Sequence, residues 1–174
     1  MSKNNIIFKV YFLPVCLVLV LSFSRIIPHP YNFSPMLAVG IFSGFYFRQF
    51  FLSSFIAVSS MFLGDLYLGF HSTMFFTYTS LIIAVILGLF ISKFKFTEIL
   101  FAGLASSVCF FIITNFGAWL ILDMYEKNLT GLMNSYILAI PFFHNTLIST
   151  FLFLFGIKII FDTMLSNKKL LKKT

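Results

Sequence analysis

The polar side chains best suited to binding a small ligand lie in two short stretches between long apolar runs of the sequence and at two places within such runs. The set comprises one guanidinium, one carboxylate, three imidazoles, three amides and one indole. Such groups exchange hydrogen bonds with a polar molecule and stack on a ring, which is the chemistry of a binding site. The candidate site residues are Arg25, His29, Asn32, Asp65, His71, Asn115, Trp119, His144 and Asn145.

Several of these residues have an alternative, purely structural role. Arg25 and Asp65 could form an ion pair that joins two outer loops, with or without a bound ligand. His29 lies between two prolines and could cap a loop amide. Trp119, the lone tryptophan, could anchor the protein at a membrane interface. The sequence leaves both roles open for these residues.

Asn115, His144 and Asn145 could likewise have either a binding or a structural role. Asn115 lies four residues before Trp119 and shares a helix face with it, but it could simply bond the backbone of a neighbouring helix. His144 and Asn145 follow Pro141, and they could satisfy backbone groups that the proline frees. Ligand binding and structural support are equally consistent with these positions.

Catalytic and metal-binding signals are weak. The three histidines and Asp65 are ligand types for a transition metal, but no two of them have the close spacing of a metal motif. The sequence contains no P-loop, no His-Glu-x-x-His and no Gly-x-Ser-x-Gly motif, and no nucleophile–base pair is evident. We therefore expect that the protein is not an enzyme and holds no cofactor.

Composition indicates the elements that must position these side chains. The 174 residues are 60% hydrophobic and only 10% charged, with a mean hydropathy of +1.01, whereas soluble domains carry about 25% charged residues. A soluble fold and a disordered chain are both excluded. The net charge of +7 is typical of basic cytoplasmic loops in membrane proteins, so we expect the lipid bilayer, and no nucleic acid, as a partner.

The apolar runs predict an all-α polytopic membrane protein, with residues 1-174 forming a single integral membrane domain. Pro141 is expected in the first turn of the last helix, because the apolar stretch from residue 132 to 165 would reach roughly 50 Å as one helix. Residues 132–138 would then form a surface or re-entrant piece. Cleavage of a signal peptide at Ser22-Phe23-Ser24 remains an alternative for the N-terminus. The six predicted spans are residues 8-24, 36-47, 50-64, 73-92, 98-122 and 141-164.

The basic residues orient these spans. If both termini are cytoplasmic, only Arg25 and Lys127 of the 12 basic residues lie outside, as the positive-inside rule requires. All three histidines then lie on the outer side. We predict one outward-facing pocket there, formed by the candidate site residues and walled by Tyr31, Tyr67 and Trp119. The ten predicted inside residues are Lys3, Lys9, Arg48, Lys93, Lys95, Lys158, Lys168, Lys169, Lys172 and Lys173.

Four segments of the sequence carry a recognisable pattern: Arg25-x-x-Pro28-His29-Pro30-x-Asn32-Phe33-Ser34-Pro35, Asp65-Leu66-x-Leu68-Gly69-Phe70-His71, Thr114-Asn115-Phe116-Gly117-x-Trp119 and Ile140-Pro141-Phe142-Phe143-x-Asn145-Thr146. They resemble a family of small bacterial integral membrane proteins of unknown function. That family is similar to the substrate-binding S components of energy-coupling factor (ECF) vitamin transporters. The resemblance covers roughly residues 25–146, and its first and third segments are the most specific.

The resemblance implies a protein of the bacterial cytoplasmic membrane that captures a vitamin or similar small molecule from outside. Its implied partners are a transmembrane coupling subunit and two cytoplasmic ATPases. One feature departs from the S components, many of which carry Ala-x-x-x-Ala on the first span for docking. The predicted first span here contains no alanine, so docking would use Ala38, Gly40 and Gly44 on the second span, or would not occur.

Three functional hypotheses follow. The leading one is a substrate-capture subunit for uptake of a small organic nutrient, in which Arg25 attracts an anionic group and Trp119 stacks on a ring. The second is a membrane enzyme or metal-handling protein that uses the outer histidines and Asp65. The third is a structural or assembly subunit whose polar residues join its helices. The sequence determines neither the substrate nor the oligomeric state.

Overall fold

The computed structural model of the chain describes residues 12, 15–16, 18–21 and 23–171, and only the backbone of residues 164–171. The predicted first span at residues 8-24, and the cleavage site at its end, lie only partly within the described residues. Every regular element in the described part of the chain is helical, which confirms the all-α class. A short 3₁₀ turn (Ser24–Ile26) overlaps the start of the proline-rich segment, which comprises residues 25–35.

Six helices follow this turn. The later predicted spans, from residues 36-47 to 141-164, each coincide with one of the five long helices. A short helix occupies the region predicted as a surface or re-entrant piece, and Pro141 lies in the first turn of the last helix, as predicted. The helices are α1 (Met36–Phe47), α2 (Phe50–Leu68), α3 (Met74–Phe90), α4 (Phe96–Ile121), α5 (Leu129–Ile137) and α6 (Ile140–Leu171).

Three of these helices are long and apolar enough to cross a membrane. They are α2, α4 and the part of α6 from Ile140 to Thr163. The apolar helices α1 and α3 are shorter, with 12 and 17 residues. A rise of 1.5 Å per residue gives them lengths of about 18 and 25 Å, below the roughly 30 Å of a bilayer core. Length and composition therefore indicate a membrane protein.

Helix α1 lies at the centre of the bundle. It is apolar on all sides, which is typical of a buried helix, and its residues 36–44 are all buried. A β-carbon added at Gly44 would collide with the backbone of α3, and one added at Gly88 would collide with the backbone of α1. The backbones of α1 and α3 are therefore in direct contact, as small-residue motifs allow.

Because α1 is buried, its small residues are not accessible to a docking partner. Ala38 is fully buried, and Gly40 and Gly44 both face α3 within the bundle. The prediction that these three residues provide an alternative docking surface is therefore wrong. The sequence suggested it because small residues favour close helix contacts, but α3 of the same chain already occupies that contact.

Hydrogen bonds fix the connections at one end of the bundle. Arg48 adopts a left-handed conformation (φ 55°) in the turn between α1 and α2. Its guanidinium donates to the carbonyl oxygens of Leu89 and Ser92, both at 3.0 Å, where α3 ends. Glu98 at the start of α4 accepts hydrogen bonds from the backbone of Ser92 and Lys93. The opposite end of the bundle carries the candidate site.

Helix α2 is longer than predicted. Asp65 was expected in the loop of residues 65–72, but it lies within α2, which ends at Leu68 and is followed by Gly69 with φ 96°. The side chain of Asp65 is buried and paired, so the helix continues through a residue that would otherwise stay near water. The expectation that Asp65 belongs to a loop is therefore wrong.

Candidate functional site

A cavity of about 470 Å³ lies at the end of the bundle opposite Arg48. Its walls come from the proline-rich segment, the connection between α2 and α3, the N-terminal halves of α1, α3 and α6, and the C-terminal halves of α2 and α4. The volume is within the range of small-molecule sites. Neighbouring helices thus bring residues distant in sequence to one space.

The cavity is lined by both apolar and polar side chains. Its buried wall includes Met36, Leu37, Met61 and Leu81, with 2–6% exposure. Half-buried polar residues, among them Arg25, also line it. Exposed polar residues complete the lining, namely His29, Asn32 and His71. A mostly apolar wall with a few polar groups is characteristic of ligand pockets.

Arg25 is held in place by an ion pair with Asp65. Its Nη2 donates to Oδ1 of Asp65 at 3.0 Å, and its Nη1 donates to the carbonyl oxygen of Met61 at 3.0 Å. The hydroxyl of Tyr78 on α3 donates to Oδ2 of Asp65 at 2.7 Å. The side chains of Arg25 and Asp65 are only 12% and 2% exposed. The predicted ion pair is present, and it joins the proline-rich segment, α2 and α3.

Arg25 retains donors for a ligand. A guanidinium has five N–H groups, and two of them are used by described residues. Glycine at position 64 makes room for it, because a β-carbon there would lie 2.7 Å from Nη1 of Arg25. The arrangement presents a fixed cationic donor at the cavity wall. An immobilised donor loses little conformational entropy when a ligand binds.

Five of the nine candidate site residues line the cavity: Arg25, His29, Asn32, His71 and Asn115. Their role in ligand binding stays a prediction. Asp65 lies behind Arg25 and fixes it. His29 does not cap an amide, since its ring nitrogens face two carbonyl oxygens, those of Arg25 at 3.2 Å and Pro30 at 2.9 Å.

Trp119, His144 and Asn145 do not line this cavity. The indole N–H of Trp119 donates to the carbonyl oxygen of Glu126 at 3.0 Å, within the loop after α4. His144 bonds the carbonyl oxygen of Ile140 in its own helix at 2.9 Å. The amide of Asn145 donates to the carbonyl oxygen of Tyr31 at 3.0 Å, which connects α6 to the proline-rich segment. All three make structural contacts.

The two tyrosines predicted to wall the pocket are absent from its lining. Tyr31 and Tyr67 are 81% and 71% exposed. Asn115 does line the cavity, but its amide bonds the carbonyl oxygen of Phe111 in its own helix rather than a neighbouring helix. Tyr31 and Tyr67 thus remain accessible outside the cavity, whereas threonines contribute hydroxyl groups to its lining.

Sequence reasoning missed the hydroxyl groups of the cavity and the role of Tyr78. Thr77, Thr114 and Thr146 all line the cavity. Threonines in apolar helices usually bond their own helix, so the residue type alone did not distinguish them from structural residues. One signal was available, because Thr114 directly precedes Asn115 in one of the two most specific segments of the sequence. Tyr78 had no such signal.

The described residues contain no group of three or more His, Cys, Asp or Glu side chains placed to hold a metal ion. His29, His71 and His144 therefore do not join Asp65 in a common site. His71 instead bonds the hydroxyl of Thr73 at 3.0 Å. The metal-handling hypothesis has no support from the geometry of the described chain.

Comparison with known proteins places the chain in a family. No curated protein and no solved structure matches it. A family model described as a family of unknown function, DUF6580, matches residues 5–171. This agrees with the resemblance to an uncharacterised family, while the similarity to S components stays a prediction. Because the match spans almost the whole sequence, the chain belongs to the DUF6580 family.

Proposed function

We propose that the protein is the substrate-capture subunit of a membrane uptake system for a small organic nutrient, such as a vitamin or its precursor. The observation that carries the proposal is the cavity with Arg25 held by Asp65 at its wall. Among the described lining residues there is no carboxylate. An anionic group of a ligand would therefore meet the N–H groups of Arg25 that Asp65 and Met61 leave free, with no carboxylate among the described lining residues.

The proposed orientation places the cavity outside. We propose six spans with both termini in the cytoplasm of a bacterium, the bilayer thinning locally where the short helices α1 and α3 cross it. Arg48, Lys93 and Lys95 lie in the connections at the end opposite the cavity. Lys158 belongs to that end too, because its ammonium donates to the carbonyl oxygen of Phe94 at 2.8 Å. The positive-inside rule makes that end cytoplasmic, so the cavity opens to the exterior.

Uptake also needs a source of energy. The sequence has no nucleotide-binding motif of the P-loop type, so the proposal assigns ATP hydrolysis to separate cytoplasmic ATPases joined through a transmembrane coupling subunit. The resemblance to S components supports this part. Because the small residues of α1 are buried, a coupling subunit would dock on another surface of the bundle.

The proposal is tested by the thermal unfolding of the purified protein with a panel of vitamins, vitamin precursors and divalent metals. A ligand at 100 times its Kd stabilises a protein by about 2.7 kcal/mol, which is readily measured. We expect at least one organic compound to raise the unfolding temperature. Stabilisation by metal alone, or by no compound, would contradict the proposal.

A variant links any such compound to the cavity. Arg25→Lys retains a positive charge next to Asp65 but lacks the planar fork of the guanidinium. We expect the variant to fold and to bind the stabilising compound more weakly. As a matched control, Arg48→Lys alters an arginine at the opposite end of the bundle and should leave binding unchanged. Equal affinity in wild type and Arg25→Lys would remove Arg25 from the site.

A further inference from the structure

Three threonine hydroxyls of the cavity, those of Thr77, Thr114 and Thr146, have already used their hydrogens. Each donates to the carbonyl oxygen four residues earlier in its own helix. The distances are 3.4 Å for Thr77, 2.7 Å for Thr114 and 3.1 Å for Thr146. A hydroxyl has one hydrogen and two lone pairs. What these side chains retain for a ligand is therefore acceptor capacity.

Asn115 contributes a further acceptor. Its amide nitrogen lies 2.7 Å from the carbonyl oxygen of Phe111. A carbonyl oxygen can only accept, so the nitrogen must face it, and the orientation of the amide follows from chemistry. No described residue donates to Oδ1 of Asn115. This half-buried oxygen and the threonine oxygens make α3, α4 and α6 an acceptor-rich part of the cavity wall.

Arg25 has the opposite character. A guanidinium has donors and no acceptor, and this one lies against α2, where it bonds Met61 and Asp65. The cavity therefore combines a cationic donor on the α2 side with neutral acceptors on three other helices. Satisfying both sets requires complementary groups on one molecule, because half-buried polar groups left without partners cost free energy.

We infer that the protein binds a bipolar small molecule. One end carries an anionic or strongly accepting group for Arg25. The other end carries N–H or O–H donors, or a cationic ammonium, for Thr77, Thr114, Thr146 and Asn115. This inference rests on the proposed function and names the chemical class of its substrate. A purely anionic ligand would leave the acceptors of α4 and α6 without donors.

Three matched probes test the class. The probes are 4-(aminomethyl)benzoate, which carries both groups, 4-methylbenzoate, which carries only the acid, and 4-methylbenzylamine, which carries only the amine. Each is added at equal millimolar concentration while thermal unfolding is followed. We expect 4-(aminomethyl)benzoate to bind about tenfold more tightly than either single-ended probe, as expected for one hydrogen bond left unmade in a buried site.

Variants locate the donor-binding end. Thr114→Val replaces the hydroxyl with a methyl group of similar shape, and it should abolish the advantage of 4-(aminomethyl)benzoate over 4-methylbenzoate. Thr79→Val is the matched control. Thr79 makes the same bond to its own helix, to Phe75 at 2.7 Å, but it is not part of the cavity lining. A second variant, Asn115→Leu, should have the same effect as Thr114→Val.

The outcomes separate this inference from the proposed function. If 4-methylbenzoate binds as tightly as 4-(aminomethyl)benzoate, or a single-ended compound of the nutrient panel is the strongest binder, the bipolar class is overturned and the capture function stands. The same holds if both Thr114→Val and Asn115→Leu retain the preference. If neither the probes nor the nutrient panel stabilise the protein, both proposals are overturned.

Discussion

Removing the carboxylate of Asp65 is the sharpest test of how this bundle is held together. In Asp65→Ala the guanidinium of Arg25 keeps, among the described residues, only the carbonyl of Met61 as a partner, and the hydroxyl of Tyr78 loses its acceptor. The Asp65 side chain is 2% exposed and that of Arg25 is 12% exposed. Water therefore cannot easily replace the lost partner, and we expect a large loss of stability.

The magnitude follows from the burial of the pair. Breaking a buried ion pair from one side costs about 3–5 kcal/mol, and we expect this range for Asp65→Ala and for Arg25→Ala. The double variant should recover up to about 3 kcal/mol, because it leaves no unpaired charge. Tyr78→Phe removes one hydrogen bond to a charged acceptor and should cost about 1.5–3 kcal/mol.

The assay is equilibrium unfolding in mixed detergent micelles, followed by circular dichroism. Asp162→Ala is a suitable control, since Asp162 forms an ion pair with Lys158 at 2.8 Å but its side chain is 54% exposed. Exposed pairs of this kind contribute about 0–1 kcal/mol. If Asp65→Ala costs no more than Asp162→Ala, or the double variant shows no recovery, the buried pair does not stabilise the bundle.

Three further predictions address packing, site geometry and topology. Gly88→Ala should lower the free energy of unfolding by about 1–3 kcal/mol, because the new methyl group would collide with the backbone of α1. Gly64→Ala should weaken ligand binding, since its methyl group would displace the guanidinium of Arg25. In a cysteine-free background, a single cysteine at Lys95 should resist an impermeant thiol reagent in intact cells, while one at Glu126 should react.

Each of these predictions has a control and a contradicting result. Gly156→Ala serves both glycine variants, because a β-carbon there meets nothing within 4 Å, and it should be neutral or stabilising. Equal stability of Gly88→Ala and Gly156→Ala would refute the close contact of α1 and α3. Unchanged affinity in Gly64→Ala would place the ligand away from Arg25. Labelling of a cysteine at Lys95 from outside would overturn the six-span topology.

The sequence by itself determined the all-α fold class and the positions of the five long helices in the described chain. Apolar runs of this length can only be helices that avoid water, since their backbone groups must bond within the segment. Prolines and short polar stretches set most of the helix ends, and Pro141 correctly separated α5 from α6. These features are local, so a pattern along the chain suffices to find them.

The extent of α2 and the surroundings of Asp65 required the tertiary structure. A lone carboxylate after an apolar run predicts the start of a loop, because an unpaired charge in a buried helix is costly. Arg25, forty residues away, and Tyr78 on α3 remove that cost. The sequence suggested Arg25 as a partner through charge alone, but nothing along the chain indicated Tyr78.

Only the tertiary structure also decided which polar residues face the cavity. In a soluble protein, polar residues mark the outer face of a helix, so hydrophobic periodicity reveals the inner face. Here α4 is apolar around its circumference, and exposed Phe101 resembles cavity-lining Phe110 in sequence. The packing of α4 against its neighbours placed Asn115 in the cavity and left Trp119 outside it. The sequence could not indicate this placement, because a lipid-facing surface and a buried one have the same composition.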